Sequence, residues 1–409
     1  MLYCSKICGN NYTIYDTDDR SYSDLTKKQV LELNKKYRVL GVVDDDIKSL
    51  DIFKTIQRYK LMGVLNEKFK DLTINDFTGL PNDYKFSLTK DNKIVLSMYT
   101  GSAKNIKIPD FVDKLGFACF KNNSSIESID IPDTVKEIAY ECFSGCTRLG
   151  SIKLSNNISY LGYECFFRCM SLKEIEIPEG VVTINPGCFK VCASLESVVL
   201  PKSVEELAEE CFSNCDKLKS INLTESLKFI GDFCFKSCFN LEEITIPRTL
   251  SRVPKYCFAG CSSLQRVILH DNIIKLERNC FEGCKLLKDI KIPNKVERIE
   301  DSCFRECESL TKINIPKSVV LIGKYCFSGC SSLKTVNFSE LFEEDNSYIT
   351  IGGEAFYDCI ELENIKIPDT LIDIGSYCFT NCKKVTMSKK IFNRFKSYLD
   401  CYEDIIEFI

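Results

Sequence analysis

A chain of 409 residues with a formal net charge of −4 has no positive surplus for displacing counterions, which argues against a non-specific nucleic-acid binder. Hydrophobic residues at 44% supply ample core material and exclude wholesale disorder, and no stretch approaches the roughly eighteen apolar residues of a membrane span. The 25 cysteines would suggest a disulfide framework in a short secreted chain, but here they follow a strict period that asks for another reading.

The opening residues 1–10 contain no continuous apolar run and do not read as a secretory signal. Residues 1–93 lack the later period and are expected to form a mainly helical domain that caps the first repeat. Within it, residues 23–37 read as a helix, with Ser23 as N-cap and Leu25, Val30, Leu31 and Leu33 as apolar positions, and residues 47–69 read as mostly helical. Acidic clusters at Asp16, Asp18 and Asp19 and at Asp44, Asp45 and Asp46 lack the glycine and distal glutamate of a calcium loop, so they read as solvated loops. No glycine-rich phosphate loop, Ser/His/Asp set or Cys/His pair stands out.

Residues 94–388 carry the repeats. The dipeptide Cys-Phe begins at Cys119, Cys142, Cys165, Cys188, Cys211, Cys234, Cys257, Cys280, Cys303 and Cys326, always 23 residues apart. Ala355-Phe356 follows after 29 residues and Cys378-Phe379 after 23 more, making twelve registers. Such a period means a solenoid. One unit runs Cys165-Phe166, Cys169, Leu172, Ile175, Ile177, Pro178, Val181, Ile184. Its Ile-x-Ile-Pro piece alternates like a short half-buried strand closed by a residue without an amide donor. Val181 and Ile184 point inward from a second extended or turn segment, and the two cysteines four apart suit a turn, 3₁₀ or helical. No unit closes a core alone; stacked units do, with like residues meeting from coil to coil.

Of the cysteines, 22 fall in the two repeat slots, leaving Cys4, Cys8 and Cys401. Asn123 replaces the second cysteine of one register and Ala355 the first of another. A slot that accepts alanine wants a small apolar side chain, so the expectation is ladders of reduced, buried thiols. Disulfides within a Cys-x-x-x-Cys would be strained. Zinc would need closer spacing or histidines, and the lone His270 stands where other repeats have proline and reads as a turn residue. The six extra residues lie near 343–348, beside Glu343, Glu344 and Asp345, and are expected to form an acidic loop suited to a basic partner, or one without function. The last segment, 389–409, reads as a helical cap, with Ile391, Phe392, Phe395, Leu399, Ile405 and Ile406 on one face.

The pattern Leu310-x-x-Ile313-x-Ile315-Pro316-x-x-Val319-x-x-Ile322-Gly323-x-x-Cys326-Phe327-x-x-Cys330 resembles the BspA-like leucine-rich repeat, also called the Treponema pallidum type. The resemblance implies a right-handed solenoid with a parallel sheet on one side. It also implies a role in adhesion or protein–protein contact, at cell surfaces or inside cells, and it brings no catalytic residues. This chain departs from the family in placing cysteine where alanine usually precedes phenylalanine, in eleven of twelve registers.

Outward residues of the strands are where a protein partner is expected, with no cofactor, metal or catalytic group. Glu174, Glu176, Glu243 and Thr245 lie early in this row, and Arg266, Ile268, Lys291, Lys312 and Asn314 late. Val199 and Ile268 are apolar where polar residues are the rule, and Asn222 and Asn337 begin glycosylation sequons on the same face. A solvated sheet of chance composition is the plain alternative. The functional expectation is a non-catalytic, cytoplasmic protein-binding scaffold. The alternatives are a cell-surface adhesin and, last, an enzyme with its site in the N-terminal 90 residues. Oligomeric state is not legible.

Overall fold

The computed structural model describes residues 83–89, 93–339 and 348–409, together with four strands nearer the N-terminus. From residue 94 onward the chain winds as a parallel β-solenoid of about 13 turns. Most coils contribute two short strands, and the two sets form separate ladders. The front ladder holds Asn105–Lys107, Ser128–Asp130 and Ser151–Lys153, then Glu174–Glu176 with Ser197–Val199, Glu243–Thr245 with Arg266–Ile268, and Lys312–Ile315 with Thr335–Phe338 and Asn364–Ile365. The side ladder begins with the hairpin Tyr84–Leu88 and Ile94–Tyr99 and runs from Lys114–Leu115 to Leu371–Ile374. Pairing is offset by one period: Ile175 faces Val198, and Ile184 faces Leu207.

The inward residues are those the repeat demanded. Leu172, Val181 and Ile184 are fully buried, as are their counterparts Leu195, Leu218 and Leu241. The phenylalanines of the twelve registers form one continuous stack from Phe120 to Phe379. Neighbouring rings lie 5.2 Å apart at Phe166–Phe189 and 6.0 Å at Phe356–Phe379, tilted by no more than 12°. Tyr99 closes the stack at one end, 5.4 Å from Phe120, and Tyr402 at the other, 6.1 Å from Phe379 and nearly perpendicular to it. Burying a phenylalanine side chain contributes about 1.5–3 kcal/mol, so this column is a main source of cohesion between coils.

The Cys-Phe-x-x-Cys segment takes the turn option. The residue before each cysteine has positive φ, as at Glu164 (49°) and Arg168 (59°), which interrupts a right-handed helix at every third or fourth residue. This geometry aims amides at the next coil: Phe166 donates to the Cys188 carbonyl at 2.8 Å and Arg168 to the Lys190 carbonyl at 2.9 Å. The third side of the solenoid is therefore hydrogen-bonded coil to coil, like the ladders, and the buried backbone finds partners all round.

The extra residues near 343–348 do not disturb this order. Leu321 pairs Thr350 across a 29-residue interval, and Phe327 stacks on Phe356 at 5.4 Å. At the C-terminus, the helices α1 (Lys389–Arg394) and α2 (Lys396–Leu399) and a 3₁₀ turn bring back a last strand, Ile406–Phe408, which pairs in parallel with Val385–Met387. Ile406 is thus on a strand and not on the expected helix, because the open ladder edge offers its backbone partners.

Toward the N-terminus, the order of the described strands is Ser21–Thr26, Asn11–Tyr15, Tyr3–Ile7 and Val42–Val43. Ser23, expected to cap a helix, lies inside the first of these. Asn11–Tyr15 is rich in aromatic and β-branched residues, and antiparallel pairing with it claims the backbone of Ser21–Thr26. The remaining helical expectations, 27–37 and 47–69, and both acidic clusters lie outside the described residues.

Candidate docking face

The outward row of the front ladder carries the residues expected to meet a partner. Glu174 and Glu176, Val199, Glu243 and Thr245, Arg266 and Ile268, and Lys312 and Asn314 all sit on front strands and are exposed. Asn222 and Lys291 are exposed in the same row, but their coils form no strand pairing at that point. Val199 is 58% exposed and Ile268 46%.

Part of the charge is spent within the row. Arg266 forms an ion pair with Glu243 of the preceding coil, its Nε 3.0 Å from the carboxylate. Asn337 Nδ2 donates to Asn314 Oδ1 at 2.9 Å, and Ser128 Oγ to Asn105 Oδ1 at 2.7 Å. Among the described residues Glu174, Glu176, Lys291 and Lys312 have no ion-pair partner. An unneutralised acidic point and an unneutralised basic point thus stand far apart on one exposed row. Glu343, Glu344 and Asp345 lie outside the described residues.

The thiols offer little chemistry. The 22 repeat cysteines that are described are all free and buried, and Cys401 is exposed. Burial raises the Cys165 and Cys307 thiols well above their ordinary range, and neighbouring cysteines add to it. The thiolate is the reactive and metal-binding form, so thiols held protonated and sealed from solvent are poor nucleophiles and poor ligands. Among the described residues no three Cys, His, Asp or Glu side chains converge as a metal site would require. Both nitrogens of His270 are engaged: Nδ1 accepts from the Asn272 amide at 3.1 Å, so Nε2 carries the proton toward the Pro247 carbonyl at 2.6 Å.

Some charged groups on the side ladder neutralise one another. Burial alone would raise the Glu137 carboxyl, but Lys114 at 3.1 Å and Lys93 at 3.6 Å outweigh it and hold it below the usual range. Glu277 is inserted almost fully, at 6% side-chain exposure, with Oε1 2.9 Å from Arg252 and Oε2 without a hydrogen-bond partner. The turns after the side-ladder strands also present a row of aromatics at Phe117, Tyr140 and Tyr163 that was not singled out from the sequence, although the position two before each Cys-Phe spells it out.

The model of the BspA-type leucine-rich-repeat region, six copies long, matches residues 85–195, 182–308, 256–386 and 340–401. The chain is a BspA-type leucine-rich-repeat protein. No curated protein matches the sequence of this BspA-type chain. Among solved structures it resembles a leucine-rich-repeat protein from Bacteroides ovatus, at 27% identity and a TM-score of 0.64, over 81% of this chain and 99% of the other. It also resembles the Treponema pallidum leucine-rich-repeat protein, at 25% identity and 0.41, over 51% and 91%. A third is the pneumococcal vaccine antigen PcpA, at 17% and 0.48, over 80% and 95%. Leucine-rich-repeat proteins are generally protein-interaction scaffolds, and the solenoid fold is typically non-enzymatic. No helix among the described residues is long and apolar enough to cross a membrane.

Proposed function

We infer that this BspA-type protein is a non-catalytic scaffold that holds a protein partner along the outward row of its front ladder. The observation that carries this reading is the row itself. Glu174 and Glu176 earlier in the row and Lys291 and Lys312 later in it are exposed without ion-pair partners among the described residues, and the exposed Val199 and Ile268 lie between them. Separated opposite charges fix a partner's orientation, and isolated apolar points give it something to bury. Glu243, Arg266 and Asn314 act in the row as locally paired residues, and Thr245 and Asn222 as polar neighbours.

Cross-linking in the native cell extract compares the natural chain with two variants, Lys291→Glu with Lys312→Glu, and Val199→Asp with Ile268→Asp. Loss of the same cross-linked partner from both supports the row. Retention by both removes it as the docking face. Deleting residues 343–348 separately asks whether Glu343, Glu344 and Asp345 take part, and unchanged partner binding ends that idea.

A reducing compartment, such as the cytoplasm, suits 22 buried free thiols better than the cell surface does. Titrating thiols under denaturing, non-reducing conditions tests this: about 25 reactive groups support the cytoplasm, and few would place the chain in an oxidising setting.

A further inference from the structure

Two residues before each Cys-Phe pair, the first four coils carry Phe117, Tyr140, Tyr163 and Pro186, and the following ones Glu209, Asp232, Lys255 and Arg278. The aromatic run is confined to one end of the solenoid, in the turns that follow the side-ladder strands, away from the front row. Phe117 is 60% exposed and Tyr163 49%. Tyr140 is half-buried between them, and neighbouring exposed aromatic rings mark a binding surface more often than a single one does. Ring centroids step 6.0 Å from Phe117 to Tyr140 and 5.9 Å from Tyr140 to Tyr163, with planes inclined at 65° and 69°.

Two adjoining depressions of about 510 and 320 Å³ lie beside these rings and share Tyr163 and Pro186. Every charged side chain that lines them is a glutamate: Glu141, Glu164, Glu206 and Glu210. Lys121 pairs with Glu141 and Lys190 with Glu210, each at 2.6 Å. Glu164 and Glu206 have no ion-pair partner among the described residues. The groove therefore combines electron-rich ring faces with unneutralised carboxylates.

We propose that this groove binds an extended cationic peptide segment with arginine or lysine at alternating positions. Cations are drawn to aromatic faces, and guanidinium groups pair with carboxylates by charge-assisted hydrogen bonds. Alternate side chains of an extended segment repeat every ~6.7 Å, close to the step from ring to ring. The rings do not form a common plane, so they offer no continuous platform to a stacked sugar chain. The site is separate from the front row, and the two fail or stand independently.

The test is fluorescence anisotropy of the full chain with a labelled peptide of alternating arginine and threonine, beside the same peptide with citrulline for arginine. The arginine peptide binds and the citrulline peptide does not. Tyr163→Ala weakens binding about tenfold, as does Glu164→Gln combined with Glu206→Gln. The front-row variant Lys291→Glu with Lys312→Glu does not weaken it. Equal binding of the citrulline peptide, natural-strength binding by the Glu164→Gln/Glu206→Gln variant, or displacement by cellohexaose at matched concentration would overturn the proposal. The glutamate-to-glutamine pair keeps the ring stack and decides the matter if Tyr163→Ala fails to fold.

Discussion

The Cys261 thiol donates to the carbonyl of Phe235 in the preceding coil at 3.2 Å. The same bond recurs in eleven coils, from Cys146 with Phe120 to Cys382 with Phe356. The two cysteine slots are therefore not equivalent. The first accepts alanine at Ala355, fully buried, with the ring stack unbroken. The second keeps a donor even where it is not cysteine: Asn123 Nδ2 donates to the Gly101 carbonyl at 2.8 Å.

Cys261→Ala should accordingly cost about 1 kcal/mol more than Cys257→Ala, the difference being one hydrogen bond. Urea denaturation of the two variants measures it. Equal losses would mean that both slots merely fill space.

Stability should fall on the alkaline side. Burial pushes the Cys192 and Cys330 thiols up to about 12, against roughly 8.5 in an unfolded chain. Between those values the native state holds protons that the unfolded state releases, so unfolding is favoured as pH rises. Each such thiol contributes a slope of about 1.4 kcal/mol per pH unit. Thermal melts from pH 7 to 10 should show a steep decline starting near pH ~8.5. A flat profile would show the thiols to be accessible. The acid limb has the opposite sign: Glu137 and Glu300, held low by lysine and arginine neighbours against their burial, lose their contribution as pH falls through their depressed values.

Val191 sits at φ 63°, where the same position of other coils holds Asn122, Gly145, Asn214, Gly260 or Gly283. A β-branched residue is strained there, whereas asparagine tolerates the left-handed region. Val191→Asn should raise stability by about 1 kcal/mol. A lower denaturation midpoint would show that the packing of the valine outweighs its strain.

Glu277 occupies a slot filled elsewhere by Gly162, Gly231 or Gly323 and rests on Arg252 at 2.9 Å. Arg252→Ala leaves a buried carboxylate with only Lys275, 4.0 Å away and shared with Glu300, and should cost about 1–3 kcal/mol. Glu277→Gly on that background should recover most of the loss, because it removes the stranded charge. A double-mutant cycle reads this directly, and additive losses would contradict it.

Most of the solenoid was legible because one cause, coil-on-coil stacking, writes itself twelve times into the sequence. Phe166, Leu172, Ile175 and Ile184 each lie where the period put them. The turn was left open among three forms, since four-residue spacing cannot reveal the positive φ of Glu164 or Arg168. The N-terminal helix reading met a strand at Ser23 because long-range pairing with Asn11–Tyr15 overrides local preference. In the front row, the exposure of Glu174 and Lys312 follows from strand alternation. The cancellation of Glu243 by Arg266 needed cross-coil geometry.

The uniform step of 23 residues from Cys119 to Cys326 gives interior coils the same joint above and below. Excision of one whole period, such as residues 211–233, would bring Cys188 beneath Cys234 with every column still aligned. Length in this architecture is thus adjustable in quanta, and genetic loss or duplication of whole modules would change the reach of the molecule without requiring new end pieces.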